Sequence, residues 1–182
     1  MKKLLFTFVL MALAFACLTL YPPKATGQTT GTLTYDVACD GRTFVLNQVD
    51  HGSASIQRGD SFVLSGRVFP ANTIPEGGTH DSPSQFGPDH EGSVGYWYCR
   101  GIFLAGGSNF RSEKIQRATT QYFLFNDKSR LFTEGFEGSS KTTRVILGGI
   151  GKLAGAHGNA TMERIGINLT GSYNLRIVFT MD

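Results

Sequence analysis

The stretch Arg144-Val-Ile-Leu-Gly-Gly-Ile-Gly-Lys-Leu-Ala-Gly-Ala-His-Gly158 decides the fold class. It opens as an apolar run, halts at glycines, and resumes as Asn159-Ala-Thr-Met-Glu-Arg-Ile165. Gly148, Gly149 and Gly151 offer backbone conformations closed to other residues. Gly155 and Gly158 permit close backbone approach where a sheet bends. A glycine loop of this kind cradles phosphate only between a strand and a helix. Residues 156–165 have no helical apolar spacing, and the glycines do not match the dinucleotide fingerprint. Nucleotide binding is therefore excluded, and the stretch reads as strand, turn, strand.

The rest of the chain follows the same pattern. No stretch sustains apolar spacing at three and four residues. β-type runs separated by Gly, Asp and Asn recur instead, at 42–49, 60–69, 94–104, 119–125, 130–136, 142–147, 158–165 and 172–180. Asn126-Asp-Lys-Ser129 is a hairpin turn. About eight antiparallel strands in one chain predict an all-β domain, an eight-stranded up-and-down barrel or else a sandwich. A barrel of this size encloses side chains or one small ligand. The irregular segment 70–92 holds Pro70, Pro75, Pro83, Pro88 and Gly77-Gly78, and is expected to be a lid or a mobile excursion.

The first residues read as a targeting segment. Lys2 and Lys3 precede an apolar run from Leu4 to Leu20, then come Pro22, Pro23 and the small residues Ala25-Thr26-Gly27. A retained anchor is the alternative, but the run falls short of the roughly 20 apolar residues that span comfortably. Lipid attachment at Cys17 is disfavoured by the bulky Phe15 before it. The expected organisation is a cleaved signal at 1–27, a single barrel domain at 28–182, and a secreted or periplasmic location.

Cleavage changes the charge. The chain has 17 basic and 14 acidic residues, and the leader removes Lys2, Lys3 and Lys24 but no acid, leaving 14 of each sign. A neutral domain has no field that favours nucleic acid or an anionic membrane surface. Two cysteines remain, Cys39 and Cys99. In an oxidising compartment they are expected to pair, closing about sixty residues and contributing roughly 4 kcal/mol. Two free thiols are the alternative.

The glycine stretch resembles the signature segment of the allene oxide cyclase and dirigent barrels, in which a Gly-Gly-x-Gly turn ends one strand and a Gly-Ala-x-Gly element opens the next. Gly59-Asp-Ser-Phe62 followed by Gly66-Arg-Val-Phe69 is similar to the family's early strand, Thr120-Gln-Tyr-Phe-Leu-Phe125 with Glu134-Gly135 to its central hairpin, and Asn174-Leu-Arg-Ile-Val-Phe179 to its closing strand. The resemblance runs from Phe44 to Phe179. It implies a shaped, water-poor cavity with few polar groups, in which the plant cyclases fold a fatty-acid epoxide and dirigent proteins steer radical coupling. It also implies a homo-oligomer, dimer or trimer. On this likeness Asn47 matches an asparagine that helps hold a water and Ser53 matches a pocket serine. Val45 stands where the family has an acid and Ala54 where it has a proline, which argues against allene oxide cyclase activity itself.

Other candidates come from the residues alone. On period two Tyr96, Tyr98 and Arg100 share one strand face, and Trp97 and Cys99 the other. A buried Arg100 would bind a carboxylate bidentately; an exposed one would face solvent or a neighbouring strand. Tyr122 and Glu134 lie on the central hairpin, where a buried Glu134 would exchange protons with its pKa raised. His80, Asp81, Asp89, His90 and Glu91 are metal-ligand types at spacings that match no compact motif, so no metal and no cofactor are expected. Asn159 and Asn168 begin sequons, but the leader is of bacterial type and no glycan is expected. Three functions stand. The barrel is a cyclase or isomerase that acts on a small apolar or aromatic molecule by conformational control, a non-catalytic dirigent-type binding protein, or an envelope or interaction protein with a filled barrel.

Overall fold

The computed structural model describes residues 30–49, 52, 55–106, 116–138 and 140–182. The expected leader at 1–27 with Cys17, and Ser53 and Ala54, lie outside the described residues. Eight strands form, β1 (Gly31–Asn47), β2 (Ser61–Pro70), β3 (Gly95–Phe103), β4 (Arg117–Phe125), β5 (Arg130–Glu137), β6 (Lys141–Ile150), β7 (Gly158–Ile167) and β8 (Tyr173–Met181). Each pairs antiparallel with the next, and β1 also pairs with β8 from Gly31–Met181 to Ala38–Asn174, closing the barrel. Closure gives every strand a partner on both sides. β1 begins eleven residues before the run expected at 42, and a bulge between Asp40 and Val45 bends it around the barrel. Asp40 holds that bulge by accepting from the Arg42 backbone N–H and guanidinium.

Alternation assigns each strand an inner and an outer face. Val37, Val68, Trp97, Phe123, Leu131, Ile177 and Phe179 point into the lumen and are nearly or wholly buried. Phe123 meets Phe179 edge to face at 4.9 Å. On the outer wall of β3 to β6, Tyr96, Tyr98, Ile102, Phe136, Val145 and Leu147 are exposed.

The segment between β2 and β3 is neither a lid over the barrel mouth nor a free excursion. It lies along the outside of the wall. Gly77 donates to the Ile165 carbonyl, Ser84 to the Ile167 carbonyl, and Ile167 back to Gly78. Ile74 is buried with Ala38 and Phe69, and Phe86 and Ile165 close this second small core. The fully buried Asp36 accepts from the Ile74 N–H at 3.1 Å and from Arg176 Nε at 3.0 Å. His90 stacks on Phe86 at 4.1 Å, and Asp89 pairs with Arg42. The proline-rich composition signals irregular backbone, and apolar anchors on that backbone dock it.

Cys39 and Cys99 are buried free thiols, which corrects the expected disulfide. Cys39 lies opposite Gly66 and Cys99 opposite Leu64, so the whole of β2 separates them. Two strand spacings amount to about 9–10 Å, beyond the roughly 7 Å limit between the Cα atoms of a bridged pair. Burial also pushes both thiols up, out of the range where thiolate forms at neutral pH. A chain beginning at Gln28 is therefore expected to give no fast reaction with Ellman's reagent when folded, and two equivalents after unfolding in guanidinium. Fewer than two equivalents from a non-reduced sample would reveal a bond that this geometry does not allow.

Candidate functional site: the two halves of the barrel lumen

Six of the side chains singled out from the sequence sit on the outer wall. Asn47, Tyr96, Tyr98, Arg100 and Glu134 are exposed, and Tyr122 is half-buried. Arg100, Thr120 and Glu134 stand in one cross-strand row, and Asn47 joins Arg100 and Glu134 at a shallow open furrow. Arg67 covers the Tyr96 ring at 4.0 Å, and Arg100 lies 5.7 Å over Tyr122. The structure thus gathers Asn47, Arg100 and Glu134, but outside the lumen. The aromatic and guanidinium contacts of Tyr96, Tyr98, Arg100 and Tyr122 are with neighbours on that outer wall. Trp97 and Cys99, on the opposite face of β3, take the lumen.

At the end marked by Met181 the lumen opens into a cavity of about 560 Å³. This lies within the range of small-molecule sites, roughly 300–1,000 Å³. Its walls are apolar, from Leu33, Val94, Phe125, Leu153 and Met181. Tyr35 stands in the wall, 4.9 Å from the Phe125 ring. Burial, with the charge of Asp127, raises the pKa of its phenol and keeps the O–H as a donor. At the rim Lys152 holds Asp127 at 2.9 Å and, with the Ser129 N–H, lowers its pKa to about 2. Two local features of the chain build this mouth. The 126–129 turn, with Lys128 at a positive φ of 69°, returns β4 into β5. A single 3-10 turn, Gly151–Leu153, drops Leu153 into the cavity wall.

The other half of the lumen, toward Arg117, is polar, and nothing in the sequence reading pointed to it. Arg117 faces Glu137 directly across β4 and β5, with Nε 3.8 Å from Oε2. Arg144, 1% exposed, donates to Glu137 Oε1 at 2.8 Å, to the Thr119 hydroxyl and carbonyl at 2.7 Å each, and to Thr133 Oγ1 at 3.1 Å. Thr119 Oγ1 donates in turn to Glu137 Oε1 at 2.8 Å, and Gln121 Nε2 adds a third bond to the same oxygen at 3.0 Å. Burial pulls the guanidinium pKa values of Arg117 and Arg144 down, and Glu137 opposes this. The hairpin carboxylate that enters the barrel is thus Glu137, three residues on from Glu134. Odd-numbered positions of β4 and β5 face inward, and Glu134 has the wrong parity.

No protein-family description matches this chain, and no curated protein matches it in sequence. Solved structures do match in fold. A pyocyanin demethylase superposes with a TM-score of 0.54 at 16% identity, covering 84% of this chain and 100% of the other. A pterocarpan synthase dirigent protein gives 0.57 at 14% identity, covering 88% and 93%. A Diels-Alderase from Streptomyces koyangensis gives 0.50 at 10% identity, covering 90% and 75%. The chain is therefore a closed eight-stranded barrel of the fold that this dirigent protein and the Diels-Alderase share.

Proposed function

We propose that this chain binds a small apolar or aromatic molecule in the cavity at the Met181 end and fixes its conformation. The observation that carries this reading is the cavity itself. It has an apolar wall, one phenol donor at Tyr35, and a charged rim at Asp127 and Lys152. Such a site catalyses by positioning, because holding a flexible molecule near its reactive geometry removes much of an entropic barrier. The activity that fits is cyclisation or isomerisation. The proteins of like fold are named for chemistry on small molecules, which agrees with this reading. We further propose that the protein works outside the cytoplasm, on the strength of Lys2, Lys3 and the apolar run from Leu4 to Leu20.

A second reading draws on the same cavity. Its wall carries no carboxylate–histidine or thiol–histidine pair among the described residues, so an orienting protein that steers an intermediate made by another enzyme also fits. Turnover by the purified protein separates the two.

The neutral aromatic probe N-phenyl-1-naphthylamine tests the cavity. Its emission is expected to rise saturably with the purified chain. The double substitution Leu33→Trp/Val94→Trp fills the space and is expected to weaken binding at least tenfold with the melting temperature little changed. Binding that survives both substitutions would place the probe elsewhere and remove the basis of the reading.

A further inference from the structure

The polar groups around the cavity at the Met181 end are mostly engaged with one another. Asn126 Nδ2 donates to the Ser93 carbonyl at 3.1 Å. Ser129 Oγ accepts from the Lys152 N–H at 3.2 Å, and the Ser129 N–H donates to Asp127 at 2.9 Å. Lys152 and Asp127 pair at the rim. Thr30 and Thr32 are exposed at the lip, where water serves them. The Tyr35 hydroxyl differs from all of these, because it makes no hydrogen bond to any described residue.

Its surroundings give that unused donor a meaning. Tyr35 is half-buried, with its ring 4.9 Å from Phe125 and 6.3 Å from the fully buried Phe179. Leu33, Val94, Leu153 and Met181 supply the apolar wall beside it. An apolar ligand seated there strips water from the phenol. A polar group that loses water and gains no partner costs about 1–3 kcal/mol, and buried tyrosine hydroxyls ordinarily find a partner. A fitting ligand therefore returns an acceptor at this point.

The kind of acceptor follows from the same accounting. Burial, and then the charge of Asp127, raises the phenol pKa, so the group is a donor at neutral pH. A carbonyl oxygen accepts its bond and has no proton of its own to place. A ligand hydroxyl accepts equally well but strands its own O–H against the apolar wall. A carboxylate brings a charge that Asp127 opposes, and Lys152 is already paired with Asp127; a charge buried without its own partner is the costliest of the three.

We propose, on the strength of the cavity reading above, that the ligand is a neutral apolar ketone or conjugated carbonyl compound whose oxygen accepts from the Tyr35 hydroxyl. Tyr35 is then the residue that sets specificity. It fixes one end of the molecule while the apolar wall holds the remainder, which is what catalysis by positioning requires.

Tyr35→Phe keeps the ring and removes only the hydroxyl. Displacement of bound N-phenyl-1-naphthylamine is read with three competitors of one outline: 2-acetylnaphthalene, 2-ethylnaphthalene and 2-naphthoate. The substitution is expected to weaken the ketone about fivefold, the worth of one neutral hydrogen bond, and to leave the ethyl compound and the naphthylamine unchanged. The naphthoate is expected to compete more weakly than the ketone in the wild type. The carbonyl stretch of bound 2-acetylnaphthalene is expected at lower wavenumber than in cyclohexane, a shift that Tyr35→Phe removes. An equal effect of Tyr35→Phe on ketone and ethyl compound, or a naphthoate that outcompetes the ketone, would overturn the carbonyl assignment and leave the cavity reading standing. Absence of saturable naphthylamine binding to the wild type would overturn both.

Discussion

Replacing Arg144 with methionine is expected to destabilise the barrel by about 3–5 kcal/mol, the cost of breaking a buried ion pair from one side. The side chain is fully buried and makes four hydrogen bonds, to Glu137, to Thr133, and twice to Thr119. Methionine fills similar volume but leaves the Thr119 carbonyl and the Glu137 carboxylate without their donor. The cost is that of the orphaned groups more than of the lost contacts. A double-mutant cycle checks this origin. With Glu137→Gln already present, removing Arg144 should cost about 1–3 kcal/mol less, because the two share one network. Urea midpoints at constant slope measure both steps. Strict additivity of the two substitutions would show that Arg144 acts through packing alone.

Gly158→Ala is expected to cost about 3 kcal/mol, combining backbone strain with overpacking. Gly158 has φ of +127°, and a Cβ there would lie 2.2 Å from the carbonyl oxygen of Thr180 on β8. That oxygen belongs to a paired strand and cannot withdraw without opening the β7–β8 ladder at Gly158–Met181. Gly155 is the control. It has φ of +80° with nothing within 4 Å of a Cβ, so Gly155→Asn should cost less than about 1 kcal/mol, since asparagine visits this region readily. Thermal melts of the two variants compare them directly. A Gly158→Ala protein that melts with the wild type would mean that β8 yields more easily than its pairing implies.

Those glycines illustrate what could be read from the chain. Turn chemistry and period-two runs are local, and they located all eight strands to within a few residues, except for the first half of β1. There the alternation of Leu33, Tyr35, Val37 and Cys39 is present, and all four enter the lumen or its wall. The candidate site was far less legible, and the reason is parity. Alternation says that Tyr98 and Cys99 face opposite ways but not which way is inward. Hydrophobicity ordinarily decides, and here it misleads. On β6 Val145, Leu147 and Ile150 are exposed along with Lys141 and Thr143, and the buried residue between Thr142 and Ile146 is Arg144. On β5 Phe136 is 70% exposed and Glu137 turns in. An apolar outer wall around a partly polar lumen inverts the usual rule, so the side on which Tyr96, Tyr98, Arg100 and Glu134 lie stays open from the sequence alone. The available signal was a charged residue next to an apolar one within a strand run, repeated on adjacent strands at Arg117 beside Ala118, Glu137 beside Phe136 and Arg144 beside Val145.

The barrel is sealed by its first and last strands, with Gly31 beside Met181 and Ala38 beside Asn174. This seam has the largest sequence separation of any pairing in the protein, and contacts of that kind form late and slowly. Until β8 arrives, β1 and β7 each present an open edge able to recruit another chain. The hairpins can assemble early from local contacts, yet the arginine-lined lumen exists only once β1 and β8 have met. Folding speed and the hazard of aggregation along the way are thus set at one junction.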